Sequence, residues 1–172
     1  MLRFPNEILG LIVEYSKGED VITLAQTSYL GVFEKILRRH VRSTIVFDVS
    51  ENVTNAHLRH LKGVNAINLW CCYLLTDDGL KHLKGVHTIK LSYCPKVSDA
   101  GLEHLKGAHK ITLSHCHQVT DAGLEYLKGA HEITLSGCHQ VTNAGLEHLK
   151  GVHMIHIDNC DRITKDYIMI SQ

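Results

Sequence analysis

Apolar and polar residues alternate in short segments of this chain, and the segments recur every 22 residues. From Thr88 to Ser92, the apolar residues Ile89 and Leu91 are separated by a single polar residue, which is the period of a strand with one buried face. Because neighbouring side chains of a strand point to opposite sides, Ile89 and Leu91 face a core while Lys90 faces away from it. The pattern therefore predicts one short strand in each repeat.

The second half of each repeat is typical of a short helix. Ser98 can cap its start, Leu102 supplies an apolar face, and Gly107 suits the position after its last turn. An acidic residue that complements the positive end of the helix follows the cap at Asp77, Asp99 and Asp121. Gly101 lies inside the predicted helix at a cost of about 1 kcal/mol, so we expect close backbone packing between neighbouring turns there. The equivalents of Gly101 are Gly79, Gly123 and Gly145.

The repeat keeps its length from one copy to the next. Glycines that end the tripeptide Leu-Lys-Gly recur at Gly63, Gly85, Gly107, Gly129 and Gly151, and a cysteine column recurs at Cys72, Cys94, Cys116, Cys138 and Cys160. Residues 97–118 and 119–140 differ at only four of 22 positions, as tandem duplication would produce. This period predicts an α/β solenoid over residues 44–172, with about six 22-residue turns, a concave parallel sheet and short convex helices.

One repeat also matches a known consensus. Val86, Ile89, Leu91 and Cys94 fit the pattern L-x-x-L-x-L-x-x-C, and V-[ST]-D follows the cysteine. The pattern resembles the cysteine-containing subclass of leucine-rich repeats. The resemblance covers residues 44–172 and implies that each turn adds a strand and a helix to a curved stack, with the cysteine inside.

Residues 1–43 lack the repeat, so we predict a separate helical module there and a domain boundary between residues 43 and 44. Three apolar sets have helical spacing: Ile8, Leu9, Ile12 and Val13; Val21, Leu24 and Ala25; Phe33, Ile36 and Leu37. Pro5 suits the first turn of the first helix. A three-helix module of about 40 residues rarely has a sufficient core of its own. We expect it to pack on the first repeat, on a partner, or on both.

A second motif lies in this module. The segment Phe4-Pro5-Asn6-Glu7-Ile8-Leu9 is followed at helical spacing by Ile12, and later by Asp20-Val21-Ile22-Thr23-Leu24. This combination closely resembles the F-box. The resemblance implies docking on a Skp-family adaptor and, through it, on a cullin complex, which would make the chain a substrate receptor of a ubiquitin ligase. It implies adaptor contacts at Phe4, Pro5, Ile8, Leu9, Ile12, Val21 and Leu24. An F-box joined to such repeats also resembles the expanded families of these proteins in protists and large DNA viruses.

The composition argues against several classes of function. The 18 Lys and Arg residues balance the 18 Asp and Glu residues, so we expect no nucleic acid as a partner. No apolar stretch approaches the roughly 18 residues of a membrane helix, and residues 1–15 lack the features of a signal sequence. We therefore expect no membrane partner, and a location in the cytoplasm, the nucleus or both, which for a viral protein is the host cytoplasm.

The cysteine column allows two interpretations. Parallel strands about 4.8 Å apart are close enough for disulfides. However, the column lacks the paired spacing of a zinc site, and Ser50 replaces the cysteine in the first turn. We favour reduced thiols packed in the core. Cys71 falls one place before the column and is the candidate for an exposed, oxidisable thiol.

Histidine is unusually frequent, with 14 residues. One column lies at strand starts, His87, His109, His131 and His153, and another lies in the helices, His60, His82, His104 and His148. We predict no metal site and no cofactor, because one imidazole per turn does not converge with a carboxylate or thiolate. We also predict no enzymatic activity, since no nucleophile, base and orienting group can be assembled. Stability that depends on pH and a metal-dependent activity are the alternatives.

Function is therefore predicted on the outward, concave face of the strands. Its middle column is predicted to contain Val46, Asn68, Lys90, Lys110, Thr134 and His156. Candidate substrate-binding residues are Trp70, Lys90, Tyr93, Lys110, His115, Glu132, His156 and Asp158. Trp70 is the leading anchor, because an outward Trp is costly unless something covers it; the alternative is that Tyr93 or the helical module covers it. The leading hypothesis is a ligase substrate receptor, and the alternative is a protein-interaction scaffold or decoy that engages no ligase.

Overall fold

Within the described part of the chain, the strands form one sheet in the order in which they occur in the sequence. The computed structural model describes residues 11–16, 19–24, 44–47 and 53–164 and, in the first three segments, only the backbone. The strands are β1 (Leu11–Ser16), β2 (Glu19–Leu24), β3 (Thr44–Phe47), β4 (Ala66–Trp70), β5 (Thr88–Ser92), β6 (Lys110–Ser114), β7 (Glu132–Ser136) and β8 (Met154–Asp158). The β1–β2 pair is antiparallel, and each later pair is parallel.

The sheet keeps the register of the repeat. Ile67 pairs with Ile89, and Ile89 pairs with Ile111, so residues 22 positions apart lie side by side. Ile89 and Leu91 are fully buried, whereas Lys90 is exposed. The predicted strands of the repeats and their inward and outward positions are confirmed. The arrangement of parallel strands and short helices is compatible with a repeat stack.

A short helix follows each strand from β3 to β7. The helices are α1 (Asn55–Leu58), α2 (Asp77–Leu80), α3 (Asp99–Glu103), α4 (Asp121–Leu124) and α5 (Asn143–Glu147). A 3₁₀ turn continues α1, α2 and α4, at Arg59–Leu61, Lys81–Leu83 and Glu125–Leu127. The side-chain oxygens of Ser98, Thr120 and Thr142 each accept a hydrogen bond from the backbone N–H two residues later, so the caps at these three positions are confirmed. The Thr76 side chain at the equivalent position makes no such bond.

The cysteine column lies in the core between the sheet and the helices. The Cys116 thiol donates to the backbone carbonyl oxygens of Leu91 in the preceding turn and Ser114 in its own turn, each at 3.6 Å. Cys94 and Cys138 make the equivalent pairs of contacts. Burial raises the pKa of the Cys116 thiol to about 12, so this group stays protonated at neutral pH. All six cysteines are free thiols, and the five of the column are buried, which confirms that the column packs in the core. Cys71, the candidate for an exposed thiol, is half-buried.

A carboxylate or amide connects each helix to the next turn. Asp99 Oδ1 accepts the backbone N–H of Thr120 at 2.8 Å, and Asp99 Oδ2 accepts the Thr120 hydroxyl at 2.6 Å. Equivalent contacts join Asp77 to Ser98, Asp121 to Thr142, Asn55 to Thr76, and Asn143 to Thr164. These residues therefore do more than complement a helix end, because they fix the position of the following cap.

The glycine inside each of the helices α2 to α5 makes room for this connection. A Cβ at Gly101 would collide with Asp77 Oδ1 and would lie 2.9 Å from Leu80 Cδ1. Close packing between turns at this position is confirmed. The group that approaches is the side chain of the preceding turn, however, and not its backbone.

The helices predicted near the start of the chain are wrong where the structure describes those residues. Ile12 and Val13 lie in β1, and Val21 and Leu24 lie in β2. Both segments are rich in β-branched residues, which favour strands. The register places Ser16 opposite Glu19, so only Lys17 and Gly18 connect the strands, a length and composition typical of a hairpin.

The hairpin extends the sheet of the repeats. Because β2 pairs with β3, the sheet continues across the predicted domain boundary at residues 43 and 44. Other residues of the predicted helical module lie outside the described residues: Phe4, Pro5, Ile8, Leu9, Ala25, Phe33, Ile36 and Leu37.

Candidate functional site

The strand face that points away from the helices forms an ordered surface, which we call the open face. It corresponds to the face predicted to be concave. Its first column contains Ala66, Thr88, Lys110, Glu132 and Met154; its middle column contains Asn68, Lys90, Thr112, Thr134 and His156; its last column contains Trp70, Ser92, Ser114, Ser136 and Asp158. In-register pairing places equivalent side chains on neighbouring strands, so each column crosses the sheet.

The structure corrects the predicted position of Lys110. Lys90 and Lys110 do not share a column, because Lys90 pairs with Thr112 while Lys110 pairs with Thr88 and Glu132. Lys110 Nζ lies 2.6 Å from Glu132 Oε1. A hydrogen bond from Lys110 lowers the pKa of the Glu132 carboxyl. The two charges therefore neutralise each other on the open face.

Aromatic side chains are exposed at the carboxyl ends of β4 and β5. Trp70 ends β4 and keeps 39% of its surface exposed, so Tyr93 does not cover it. The side chains of the helical module, the other part of that alternative, lie outside the described residues. Tyr93 directly follows β5 and is 42% exposed. Tyr73 and Leu74, in the loop after β4, are also exposed. Exposed aromatic side chains that lie close together often mark an interaction surface.

The residue after each of the strands β4 to β8 has a left-handed backbone, which the sequence pattern did not predict. Tyr93 has φ 53° and His115 has φ 51°, and Gly137 occupies the same position after β7. This conformation costs a residue with a side chain about 1 to 2 kcal/mol. It is stabilised because the Tyr93 N–H donates to the carbonyl oxygen of Ser114 on the next strand, at 2.9 Å. Gly137 and Asn159, which follows β8, are the residue types at this position that favour a left-handed backbone.

The Tyr93 and His115 side chains stack along this edge of the sheet. Their ring centroids are 4.4 Å apart, with an interplanar angle of 14°. A Cβ at Gly137 would lie 2.5 Å from His115 Nδ1, so the missing side chain makes room for the His115 ring. Two nearly identical repeats thus differ at this position, and the two residues pack together: Gly137 leaves the space that the His115 ring occupies.

Lys90 and Asp158 are the charged groups of the open face that lack an oppositely charged partner among the described residues. Both are exposed. Asp158 Oδ2 accepts hydrogen bonds from Ser136 Oγ at 3.4 Å and from Asn159 Nδ2 at 2.9 Å, and both donors are neutral. His156, also exposed, lies two residues before Asp158 on the same face of β8.

A histidine stack borders the open face at the amino ends of the strands. It consists of His87, His109, His131 and His153, whose successive ring centroids are 4.6 Å apart. Partial desolvation and the neighbouring imidazoles of His131 and His87 lower the pKa of His109. Among the described residues, no three His, Cys, Asp or Glu side chains are grouped so that they could hold a metal ion.

The opposite surface carries helix residues with a different environment. Glu103 is exposed on α3, and Tyr126 packs partly against the core. Glu147 on α5 forms an ion pair with Lys150. These residues provide the controls for experiments on the open face.

Neither family models nor curated proteins add an identity to this geometry. A scan against models of known families and a search of curated proteins each found no match. In the part of the chain that the structure describes, no helix has the length and apolar character needed to cross a membrane.

Proposed function

We propose that the repeats form a solenoid of the leucine-rich-repeat type and that the open face binds a protein partner without catalysis. The observation that carries this proposal is the exposure of Trp70 and Tyr93 beside the unpaired Lys90. Binding energy at protein interfaces is concentrated in aromatic and charged anchors that become desolvated in the complex. The helices bury the other side of the sheet, so the open face is the surface on which such anchors collect.

A partner can be trapped by proximity labelling and its affinity then measured against two sets of variants. We expect Trp70→Ala, and separately Lys90→Glu, to weaken binding by about 1 to 2 kcal/mol. Glu103→Lys on the helix side is the matched control and should leave affinity unchanged. Loss of binding in the control with full binding in both open-face variants would contradict the proposal.

Recruitment of a Skp-family adaptor and a cullin complex is the second candidate function. The F-box resemblance of residues 4–28 supports it. The position of Ile12 in β1 weakens it, because the resemblance requires Ile8, Leu9 and Ile12 to share a helical face. The geometry therefore supports a protein-interaction scaffold better than a ligase receptor.

Co-purification with a Skp-family adaptor distinguishes these two functions. A ligase receptor should retain the adaptor, and the double variant Ile8→Asp and Leu9→Asp should lose it while the repeats stay folded. If the wild-type complex contains no adaptor while the open face still holds a partner, only the scaffold function remains supported.

A further inference from the structure

The open face has an ordered arrangement of charge from β4 to β8. Trp70 lies on β4, the cation Lys90 on β5, and the anion Asp158 on β8. Neither charge has an oppositely charged partner among the described residues. We propose that the open face binds an extended protein segment with an acidic residue and, four positions away, a basic residue. An apolar side chain lies two positions from the acidic residue, on the same side of the segment. This inference rests on the proposed function and names the class of segment that is bound.

Lys90 determines where the acidic residue binds. Its neighbours in the middle column are Asn68 and Thr112, neither of which carries a charge. Trp70 lies at the carboxyl end of β4, and Tyr93 directly follows β5, the strand that contains Lys90. An apolar side chain of the segment would contact these rings and exclude water, which strengthens the attraction between Lys90 and a carboxylate.

The centre of the open face demands no charge from the segment. Lys110 and Glu132 already form an ion pair. Thr112, Thr134 and Ser114 have no side-chain hydrogen bond to another described residue and lie between the two charged ends. Their hydroxyls can pair with the backbone N–H and C=O groups of an extended segment, which would otherwise lose their hydrogen bonds to water.

Asp158 determines where the basic residue binds. The neutral donors Ser136 and Asn159 hold its carboxylate but leave its charge uncompensated. A lysine or arginine of the partner would supply the missing cation. The opposite orientation of the segment would place a carboxylate beside Asp158 and a cation beside Lys90, and both contacts would be repulsive.

The spacing follows from the geometry of the sheet. Three strand steps of about 4.8 Å separate β5 from β8, and Asp158 lies one column further along its strand, about 7 Å. The resulting separation is about 16 Å. Side chains on the same side of an extended chain recur every two residues, about 6.6 Å. Four residues therefore cover about 13 Å, and the long side chains of Lys90 and of the basic residue span the rest. The segment therefore runs across the strands, along the direction in which the repeats stack.

Selection from a phage-displayed library of random 12-residue peptides on the purified full chain tests this proposal. We expect enrichment of peptides with an acidic and a basic residue four positions apart and an apolar residue two positions from the acidic one. A fluorescent synthetic peptide of this type should bind Lys90→Glu and Asp158→Lys at least about tenfold more weakly than the wild type. Lys106→Glu and Glu103→Lys, exposed charges on the helix side, are the matched controls and should bind as the wild type does.

Charge reversal in the peptide makes the test specific. Replacing the acidic residue of the peptide by lysine should restore affinity for Lys90→Glu but not for Asp158→Lys. Selected peptides that lose binding in Trp70→Ala but show no charge order would overturn this inference and leave the proposed function standing. Peptides that bind every open-face variant equally and lose affinity only in the helix-side variants would contradict the proposed function itself. Recovery of no binding peptide would overturn the inference, because the inference requires a linear segment.

Discussion

The glycines inside the helices are required by packing against the preceding turn and not by the geometry of their own helix. Gly101 lies in α3, where alanine would ordinarily stabilise the helix by about 1 kcal/mol. The space that its Cβ would need is filled by Asp77 and Leu80 of the preceding turn. The role of this residue therefore depends on a contact between turns that helix propensity does not describe.

Replacement of Gly101 by alanine should destabilise the protein despite the better helix former. We expect a loss of about 1 to 3 kcal/mol in the free energy of unfolding, measured by urea denaturation. Combining Gly101→Ala with Asp77→Ala should cost less than the sum of the two single changes, because the collision is then relieved. A stabilised Gly101→Ala variant would contradict the packing described above.

The sequence predicts the inward and outward positions of the strands because a period of two depends only on local backbone geometry. Ile89, Leu91 and Lys90 follow it. The left-handed backbone at Tyr93 and His115 was not predictable in the same way. It depends on a hydrogen bond to the next strand, and few residues other than glycine adopt this conformation.

At the scale of the elements, the connection between successive helices holds the stack together. Asp99 accepts two hydrogen bonds from Thr120 in the next turn, one from the backbone and one from the hydroxyl. Asn55 and Asn143 occupy the equivalent position and make contacts with the same geometry. The position therefore requires a short side chain with an oxygen, and a negative charge is not essential.

Alanine and asparagine at position 99 should have very different effects. Asp99→Ala removes both bonds and should lower the free energy of unfolding by about 2 to 3 kcal/mol. Asp99→Asn keeps an acceptor for the backbone N–H and can donate to the Thr120 hydroxyl, so its loss should stay below about 1 kcal/mol. Chemical denaturation of both variants measures the difference, and equal losses would show that charge alone matters at this position.

The histidine stack should make stability depend on pH. The pKa of His109 lies below its ordinary value in the folded chain, so between these two values the unfolded chain binds more protons. The contribution of His109 to stability is therefore complete above about pH 6.5 and is lost as the pH falls through the lowered pKa. His87 and His131 face His109 and add repulsion once they are charged, while Glu132 opposes this effect but is already paired with Lys110.

Urea denaturation at pH 7.5 and pH 5.5 measures this dependence. The wild type should lose more stability between the two values than His109→Asn does. His148→Asn changes an exposed histidine of the helix side and should keep the full pH dependence of the wild type. The same loss in His109→Asn as in the wild type would remove the stack from the explanation.

The elements near the start of the chain show the limit of prediction from periodicity. Ile12 and Val13 fit a helical face together with Ile8 and Leu9, but their β-branched side chains also suit a strand. The structure places Ile12 and Val13 in β1, which pairs with β2. A repeat of 22 residues resolves this ambiguity elsewhere, because each strand is specified again in every turn. The first segment has no such repetition.

At the scale of the whole molecule, each turn contacts the turns on either side, so repetition extends the sheet and displays a broad open face. The helices bury one side of the sheet, and the charged and aromatic side chains collect on the other. The sequence predicts which strand positions face this surface. The predicted position of Lys110 is wrong by one column. Lys110 pairs with Thr88, the residue 22 positions earlier, whereas the partner of Lys90 is Thr112. Nothing in the sequence alone showed that Lys110 is neutralised by Glu132 whereas Lys90 is left unpaired.

The central claim is that the partner contacts the open face, and site-specific photocrosslinking tests it most directly. A photoreactive amino acid is introduced at Thr112, in the middle column of the open face, and separately at Ala122, which is exposed on α4. The partner trapped by the wild type is then irradiated with each variant and the crosslinked product is measured. We predict a crosslink from position 112 and none from position 122. A crosslink from position 122, with none from position 112, would contradict the claim.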